Sequence, residues 1–368
     1  MEISAVDLFC GAGGLTYGLE QAGLPVVAGI DLNSRCKYPY DENTNSEFIE
    51  EDIQRLAKEN PERVAQLFGD SDVCVLAGCA PCQPFSPLNH GDDSKEHQKW
   101  GLLNAFSALV KVVEPDIVTM ENVYEVRNHD VYDEFEETLS DLGYWINSDE
   151  NKRVYCPEYG VPQTRKRWVL LASRRGPINL KGPVHKNESE YPTVKDTIEN
   201  LPAISAGETH SEDSMHRSRD LADVNIERIK ISEPGKTWKL WEEKGYEDLL
   251  LACHKKSSGR TYTDPYGRMT PDKPAPTITT QFYNYGSGRF GHYDMGQNRA
   301  ISLREGAMLQ TFPRDYKFID SPEENHLKPL GEMIGNAVPP KLGEVIGKSI
   351  IHHVENTARQ ERLKNFHV

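Results

Sequence analysis

Short apolar runs alternate with segments of helical spacing through the first half of the chain. Each run is bounded by turn residues, which is typical of a buried strand. The apolar runs lie at 3–8, 26–30, 72–78, 116–120 and 167–173. The segments of helical spacing between them lie near 15–22, 102–113 and 131–143. Strands that alternate with helices predict an α/β fold with a doubly wound, mostly parallel sheet.

Unusual motifs directly follow several of these predicted strands. They are CGAGG after 3–8, Asp31 after 26–30, CAPCQPFS after 72–78 and ENV after 116–120. In open parallel sheets, ligands bind beyond the carboxyl ends of the strands. The pattern therefore predicts one ligand site along this edge of the sheet.

The regular alternation ends after about residue 177. Residues 180–265 are irregular and rich in Pro, Gly, Ser and His, and regular signals return only from residue 268. An amphipathic helix, started by prolines, is predicted in the tail at 335–355. We therefore expect two domains: an α/β domain of residues 1–178 plus 328–368, and a smaller irregular domain with a hinge at 179–327.

Composition excludes several classes of protein. With 37% hydrophobic residues among 368, the chain can bury a core, and no apolar run approaches the ~20 residues of a membrane-spanning helix. The opening residues have no basic leader before a long apolar stretch, so we expect no secretory signal. Seven scattered cysteines indicate reduced thiols and a cytoplasmic protein rather than a disulfide scaffold.

The net charge of −15 argues at first against a nucleic-acid partner. A binding face needs only local positive potential, however, and two segments, QTRKRWVLLASRR and CHKKSSGR, contain no acidic residue. The ordinary interpretation of such a segment is a solvated surface. If the chain binds DNA, its charge must be polarised.

The segment DLFCGAGGLTYGLEQAG places a glycine cluster between a strand and a helix. Such a loop lets a ligand approach the backbone and the amino end of the helix. Asp31 is placed to bind a pair of ribose hydroxyls, while Asp52 and Ile53 suit the amino group and face of adenine. The motif predicts a nucleoside ligand, although a tight turn alone also requires glycines.

GCAPCQPFS carries a cysteine, Cys82, in a proline-braced loop at the end of a strand. A rigidly aimed thiol is a candidate nucleophile if the site removes its proton. Two other interpretations stay open: inert packing of a buried thiol, and a C-x-x-C pair of Cys79 and Cys82 that serves redox chemistry or half a zinc site. No second pair of ligands stands at suitable spacing for zinc, so we expect no metal.

MENV and QTRKR add a carboxyl group and two guanidinium groups. Glu121 emerges from an apolar strand, where a carboxyl is expected to keep its proton to higher pH and can donate it to a ring nitrogen. Arg165 and Arg167 stand at strand spacing, so we expect both on one face, suited to phosphate or carbonyl oxygens. A helix cap is the ordinary alternative for Glu121.

Six segments together resemble one family, the cytosine-5 DNA methyltransferases of prokaryotic restriction-modification systems. DLFCGAGGLTYGLEQAG, GCAPCQPFS, MENV, QTRKR, RMTPDKPAPTIT and IGNAVPP stand in the order and approximate spacing of that family's conserved blocks. The resemblance runs from residue 3 to about 350 and excludes most of 180–260. It implies a class I S-adenosylmethionine-dependent methyltransferase fold with a target recognition domain.

The resemblance also implies a role for each matching residue. Cys82 attacks carbon 6 of a cytosine flipped out of duplex DNA, Glu121 binds ring nitrogen 3 and the exocyclic amine, and Arg165 and Arg167 bind the base oxygen and the nucleotide. S-adenosylmethionine is the implied cofactor. Its implied contacts are Phe9, Gly11, Gly13, Asp31, Asp52, Ile53, Pro81, Leu102, Asn336 and Val338. The expected DNA contacts are Gln83, Ser86, Lys255, Lys256, Arg260, Arg268 and Arg289.

The chain departs from the family pattern at three places. Ala80 precedes Pro81 where the family usually has a second proline, Asp31 stands where glutamate is common, and HQKWGLLN leaves the assignment of Leu102 open by one position. No departure removes a reacting group. The resemblance further implies a cytoplasmic, nucleoid-associated monomer that protects host DNA from a cognate restriction endonuclease, a functional rather than physical partner.

Three alternatives remain open from the sequence. A tRNA cytosine-5 methyltransferase would share the fold, but the Cys-Phe-Thr element of that branch has no counterpart here. A thiol-disulfide oxidoreductase would use Cys79 and Cys82 but leaves the glycine loop, ENV and QTRKR without a role. A catalytically silent binding module is disfavoured because Cys82, Glu121 and Arg165 are all present.

Overall fold

The computed structural model describes residues 1–81, 93–261, 263–324 and 326–365. The chain divides into two compact units. The α/β unit comprises Met1–Tyr159, Lys166–Val184 and Val338–Val368, and the second unit comprises Gly160–Arg165 and His185–Ala337.

Eight strands form the sheet of the α/β unit: β1 (Ile3–Leu8), β2 (Val26–Asp31), β3 (Glu47–Glu50), β4 (Val73–Gly78), β5 (Ile117–Val123), β6 (Trp145–Ile146), β7 (Arg153–Tyr155) and β8 (Lys166–Ser173). Its helices are α1 (Gly14–Gln21), α2 (Lys37–Asn43), α3 (Ile53–Glu59), α4 (Glu62–Leu67), α5 (Asp93–Val113), α6 (Asp130–Asp141), α7 (Asp149–Lys152) and α13 (Pro340–Asn365).

The strand order β3-β2-β1-β4-β5-β8-β6 reverses direction between β1 and β4. Strands β1 to β5 pair in parallel, whereas β8 runs antiparallel to β5 and pairs with β6 and β7. The predicted mostly parallel, doubly wound sheet is confirmed. The reversal opens a crevice at the carboxyl ends of β1 and β4, where such sheets bind ligands.

Apolar side chains from both faces of the sheet fill the core. The largest cluster joins the buried faces of β1, β2, β4, β5 and β8 to helices α3, α5 and α6. Nearly every residue of the central strands is buried. Because such strands appear in the sequence as short apolar runs, the sequence pattern predicted their positions.

Helix α13 returns to the α/β unit and packs closely against α1. A Cβ at Gly18 would lie 2.3 Å from the carbonyl oxygen of Pro340 and 2.7 Å from the Cα of Gly343, so only glycines allow this approach. The predicted tail helix that prolines start is confirmed as α13, which begins at Pro340, while residues 335 and 336 of the expected range end the preceding helix, α12 (Leu327–Asn336).

Two strand boundaries differ from the expected ones in a way that matters for the site. Strand β5 continues to Val123, so Glu121 lies within the strand and not beyond it. Strand β8 begins at Lys166, so Arg165 precedes it, in a tight turn where its amide donates to the carbonyl of Gln163. Arg165 and Arg167 are both buried while Lys166 between them is exposed, which is the alternation that the sequence predicts.

The second unit contains helices α8 (Val194–Ile198), α9 (Asp223–Ile231), α10 (Lys239–Glu243), α11 (Leu303–Leu309) and α12 (Leu327–Asn336), and the short strands β9 (Thr209–His210) and β10 (Asp213–Arg217). Its extent differs from the expected 179–327. Gln163 bridges to Ala275, and Gly335 of α12 packs against the backbone of Thr279, so 160–165 and 328–337 belong to this unit.

Aromatic side chains at and beside the short helix α10 form part of the core of the second unit. Trp238 and Trp241 are both fully buried, and His254 stacks on Trp238 with ring centroids 4.2 Å apart. Within the described ranges, no helix of either unit is both long and apolar enough to cross a membrane.

We predict that Gly18→Ala destabilises the α/β unit, because the added methyl must push the backbone of α13 away from α1. Overpacking of this kind costs about 1–3 kcal/mol, which lowers the melting temperature by a few degrees. Gly182→Ala is the matched control, since a Cβ there meets no atom within 4 Å. Equal melting temperatures for the two variants would contradict the proposed glycine packing.

Candidate active site

The candidate site of the α/β unit lies at the carboxyl ends of β1, β2, β4 and β5. These ends carry the glycine loop, Asp31, Cys79 and Glu121, respectively. The expected convergence of the motifs at one edge of the sheet follows from the parallel pairing of these four strands.

The glycine loop leaves β1 in a conformation that side chains rarely adopt. Phe9, Gly11 and Gly13 have φ values of 59°, 52° and 87°. Gly13 caps α1, and a Cβ at Gly11 would meet nothing within 4 Å. The glycines are therefore required by the backbone turn, and the open space beside Gly11 lets a ligand approach the loop.

Asp31 is the last residue of β2 and is hydrogen-bonded to the glycine loop. Its Oδ2 accepts a hydrogen bond of 2.9 Å from the Gly11 amide, and its Oδ1 accepts one of 2.8 Å from the Asn33 amide. Burial raises the pKa of Asp31, although these backbone donors oppose the shift. Leu32 follows with 65% of its surface exposed, a residue that the sequence analysis missed. An apolar residue directly after the strand-end acid was the available signal.

Asp52 and Ile53 have roles within the fold that the sequence analysis did not assign. Asp52 caps α3, with its Oδ1 accepting a hydrogen bond of 2.8 Å from the Gln54 amide. Ile53 is only 3% exposed and belongs to the core of the unit. On α5, Leu102 is half-buried while Leu103 points into the core, so Leu102 is the more accessible of the two.

The carboxyl of Glu121 is held between two side chains from different strands. It is 2% exposed, and the Nε of Arg167 lies 2.8 Å from its Oε1 in an ion pair. The thiol of Cys79 donates to Oε2 at 3.1 Å. Oε1 accepts no aligned hydrogen bond from any residue that the structure describes, so it retains acceptor capacity. A buried, oriented carboxyl with a free lone pair can bind a polar ligand.

The segment after β4 is tied to the strand that carries Glu121. The side-chain amide of Asn122 donates to the carbonyl of Ala80 at 3.4 Å. Pro81, next along the chain, is exposed. Cys82, Gln83 and Ser86 lie outside the described residues, and their predicted roles stay predictions.

Arg165 and Asn336 belong to the second unit, and Val338 to the α/β unit. Arg165 is 4% exposed, and its guanidinium donates to the carbonyl of Ile278 at 3.3 Å and of Ala337 at 3.5 Å. Asn336 is exposed at the end of α12, whereas Val338 is 4% exposed.

The basic residues expected to contact DNA differ widely in exposure. Lys255 and Lys256 are exposed. Arg260 forms an exposed ion pair with Glu242 at 2.8 Å, and Arg289 pairs with Asp264. These residues remain on the surface of the second unit.

The expectation that Arg268 contacts DNA is wrong, because its side chain is fully buried. Its guanidinium donates to five backbone carbonyls and to the Asn298 side chain; the carbonyls belong to Ile229, Ser232, His292, Asp294 and Gln297. Irregular loops leave carbonyls without partners, and a buried arginine satisfies many of them at once. Arg268 therefore connects several loops of the second unit through hydrogen bonds.

Among the side chains that the structure describes, no group of three or more His, Cys, Asp or Glu residues is arranged to hold a metal ion. None of the described cysteines forms a disulfide bond.

We compared the chain with known protein families, with related sequences and with solved structures. The family model for C-5 cytosine-specific DNA methylase matches residues 3–352. The chain is 45% identical over 365 residues to the Type II methylase M.HgiDII of Herpetosiphon aurantiacus, covering 98% of each chain. It is 28% identical to the Type II methyltransferase M1.HphI of Haemophilus parahaemolyticus, covering 95% of this chain and 87% of the relative.

Solved structures show the same fold at lower identity. A putative DNA modification methyltransferase encoded in an Escherichia coli prophage superposes with a TM-score of 0.68 at 19% identity, covering 96% of this chain and 99% of the other. The Dnmt2 methyltransferase of Schizosaccharomyces pombe superposes with a TM-score of 0.60 at 17% identity, covering 96% and 99%.

We predict that Arg268→Met unfolds the second unit at a lower temperature, because several buried carbonyls lose their donor. Each unsatisfied group costs about 1–3 kcal/mol, so the loss exceeds that of an ordinary surface change. Lys255→Met is the control and leaves the melting temperature within about one degree, because its side chain is exposed. If Arg268→Met instead keeps the native melting temperature but binds DNA more weakly, the result would support a DNA contact.

Proposed function

Because the chain belongs to the family of C-5 cytosine-specific DNA methylases, we propose that its site transfers the methyl group of S-adenosylmethionine to carbon 5 of a cytosine flipped out of duplex DNA. The observation that carries this proposal is the buried carboxyl of Glu121. It is held by Arg167 and Cys79 at the edge of the sheet that also bears the glycine loop and Asp31.

The proposed nucleophile is Cys82. Its thiolate adds to carbon 6 of the cytosine, which gives carbon 5 the reactivity of an enamine. The cofactor, when bound, supplies an electrophilic methyl group on a sulfonium. After carbon 5 is methylated and loses its proton to a base, Cys82 leaves from carbon 6 and the aromatic ring is restored. Each bond formed to Cys82 is therefore broken again within the cycle.

Glu121 is the proposed partner of the cytosine edge. Its Oε1, which makes no aligned hydrogen bond within the described part of the chain, can accept one from the exocyclic amine. A carboxyl at this position can also share a proton with ring nitrogen 3, which makes carbon 6 more electrophilic. Arg167 and Cys79 orient the carboxyl, and the ion pair keeps the buried charge compensated.

The residues at the ends of β1 and β2 fit the proposed cofactor. Asp31, fastened to Gly11, can accept from the two ribose hydroxyls, and the exposed Leu32 offers an apolar contact beside it. The open glycine loop accommodates a ligand against its backbone. Phe9, Gly13, Asp52, Ile53, Pro81, Leu102, Asn336 and Val338 complete the proposed set of cofactor contacts.

The second unit is proposed as the target recognition domain. Lys255, Lys256, Arg260 and Arg289 are its proposed contacts to DNA, because they lie on its surface and arginine and lysine bind phosphates. Arg165 is proposed to bind the base oxygen. We propose further that the chain is a cytoplasmic, nucleoid-associated monomer that protects DNA from a cognate restriction endonuclease.

We predict that Cys82→Ser abolishes methyl transfer, because a hydroxyl is a far weaker nucleophile than a thiolate at neutral pH. Cys79→Ser retains most activity, since a hydroxyl can replace the thiol that donates to Glu121. Transfer of tritiated methyl groups to duplex DNA measures both. The native chain also forms a covalent adduct with a duplex that contains 5-fluorocytosine. Loss of activity in both variants, together with insulin reduction by the native chain, would favour the thiol-disulfide oxidoreductase.

We predict that Glu121→Gln lowers kcat by about 100-fold or more, the usual contribution of a positioned general acid. Binding of S-adenosylmethionine changes little, because Glu121 is not among its proposed contacts. Glu125→Gln, an exposed carboxyl four residues along the same segment, is the matched control and keeps native kcat. Native turnover by Glu121→Gln would contradict the proposed role.

A further inference from the structure

A buried carboxyl, Asp7 of β1, has no part in the proposed reaction. It lies two residues before Phe9, where the glycine loop leaves β1, and is fully buried. Its Oδ2 accepts a hydrogen bond of 2.7 Å from the hydroxyl of Thr16 in α1. Its Oδ1 has no hydrogen-bond partner among the described residues. A carboxyl in this setting is costly to ionise unless a positive charge comes near it.

The side chains around Asp7 connect the elements that form the proposed cofactor pocket. The hydroxyl of Thr16 lies 3.1 Å from that of Tyr40 in α2, which in turn lies 2.7 Å from the hydroxyl of Ser46 before β3. Asp31, at the end of β2, is near enough to act electrostatically on Asp7. Through Thr16 and Tyr40, Asp7 is therefore linked to α1 and α2, the helices that follow the glycine loop and Asp31.

Among the residues that the structure describes, the titratable groups that act on Asp7 are all acids. They are Asp31 from β2, Cys10 from the glycine loop and Tyr40 from α2, while Cys36 faces Cys10 and Asp31. Burial raises the pKa of Asp7 to about 7, with Asp31 adding to the shift and the Thr16 hydroxyl opposing it. Asp7 is therefore half protonated near neutral pH, and an added cation favours its ionised form.

We propose that Asp7 holds a proton while the pocket is empty and releases it to solvent when the positively charged cofactor binds. This inference rests on the proposed function, because it requires a cationic sulfonium ligand. The demethylated product is a neutral thioether, and it leaves Asp7 protonated. The carboxyl thus favours the charged cofactor over the spent one and assists exchange of product for cofactor.

The release of a proton can be measured without turnover. Calorimetric titration of the full chain at pH 6.5, in two buffers with different ionisation enthalpies, gives the protons exchanged per ligand bound. If the bound cation lowers the pKa of Asp7 by roughly one unit, S-adenosylmethionine releases about half a proton. S-adenosylhomocysteine carries the same amino and carboxyl groups, so the difference between the two ligands isolates the sulfonium.

Two variants assign the proton to its source. Asp7→Asn keeps the shape and the acceptor for Thr16 but cannot titrate, so the difference between the ligands disappears. Glu20→Gln is the matched control: it removes another carboxyl, on the same helix as Thr16, whose pKa is raised by burial, and it keeps the native difference. An unchanged difference in Asp7→Asn would overturn the assignment.

A second measurement needs only the native chain, in case Asp7→Asn does not fold. Because binding releases a proton, affinity for S-adenosylmethionine must rise with pH. Between pH 5.5 and 8 the rise exceeds that for S-adenosylhomocysteine by about five- to tenfold for the same shift of one unit. Parallel pH profiles for the two ligands would overturn the inference. Failure of both ligands to bind would instead overturn the proposed cofactor.

Discussion

The ion pair between Glu121 and Arg167 is the constraint on which the site depends. An ionised carboxyl at 2% exposure is unfavourable without a partner, and Arg167 lies 2.8 Å away on the neighbouring strand. That strand, β8, runs antiparallel to β5 and places Arg167 opposite Val123. The one antiparallel strand beside β5 thus supplies the cation, while the parallel strand β4, on the other side of β5, supplies the Cys79 thiol.

The reversal of strand order between β1 and β4 places the other proposed functional groups. The carboxyl end of β1 turns into the glycine loop, which the Gly11 amide fastens to Asp31 of β2. The carboxyl end of β4 leads toward the proposed nucleophile. The reversal thus brings the proposed cofactor site and the carboxyl of Glu121 to one edge of the sheet. Asp7, buried in β1, is the group that we propose to respond to the charge of the ligand.

The sequence predicted the sheet and the position of the site because both follow from local patterns. Most positions of the central strands are apolar, and the motifs stand at or near strand ends. Long-range packing determines which polar side chains are buried, and local sequence patterns do not predict this. Arg268 is buried because loops 24 to 39 residues away supply its carbonyl partners, and Arg165 donates to the carbonyl of Ile278, 113 residues along the chain. Contacts between such separate segments leave no periodic signal, and neither does the burial of Asp7.

The central claim is that this chain methylates carbon 5 of cytosine in duplex DNA. Bisulfite sequencing of DNA from a methylation-deficient host that expresses the chain tests it most directly, because it reports the modified base and its sequence context together. The account predicts cytosines fully protected from deamination at one position of one short, fixed sequence. Conversion of every cytosine at the level of the empty host would contradict it.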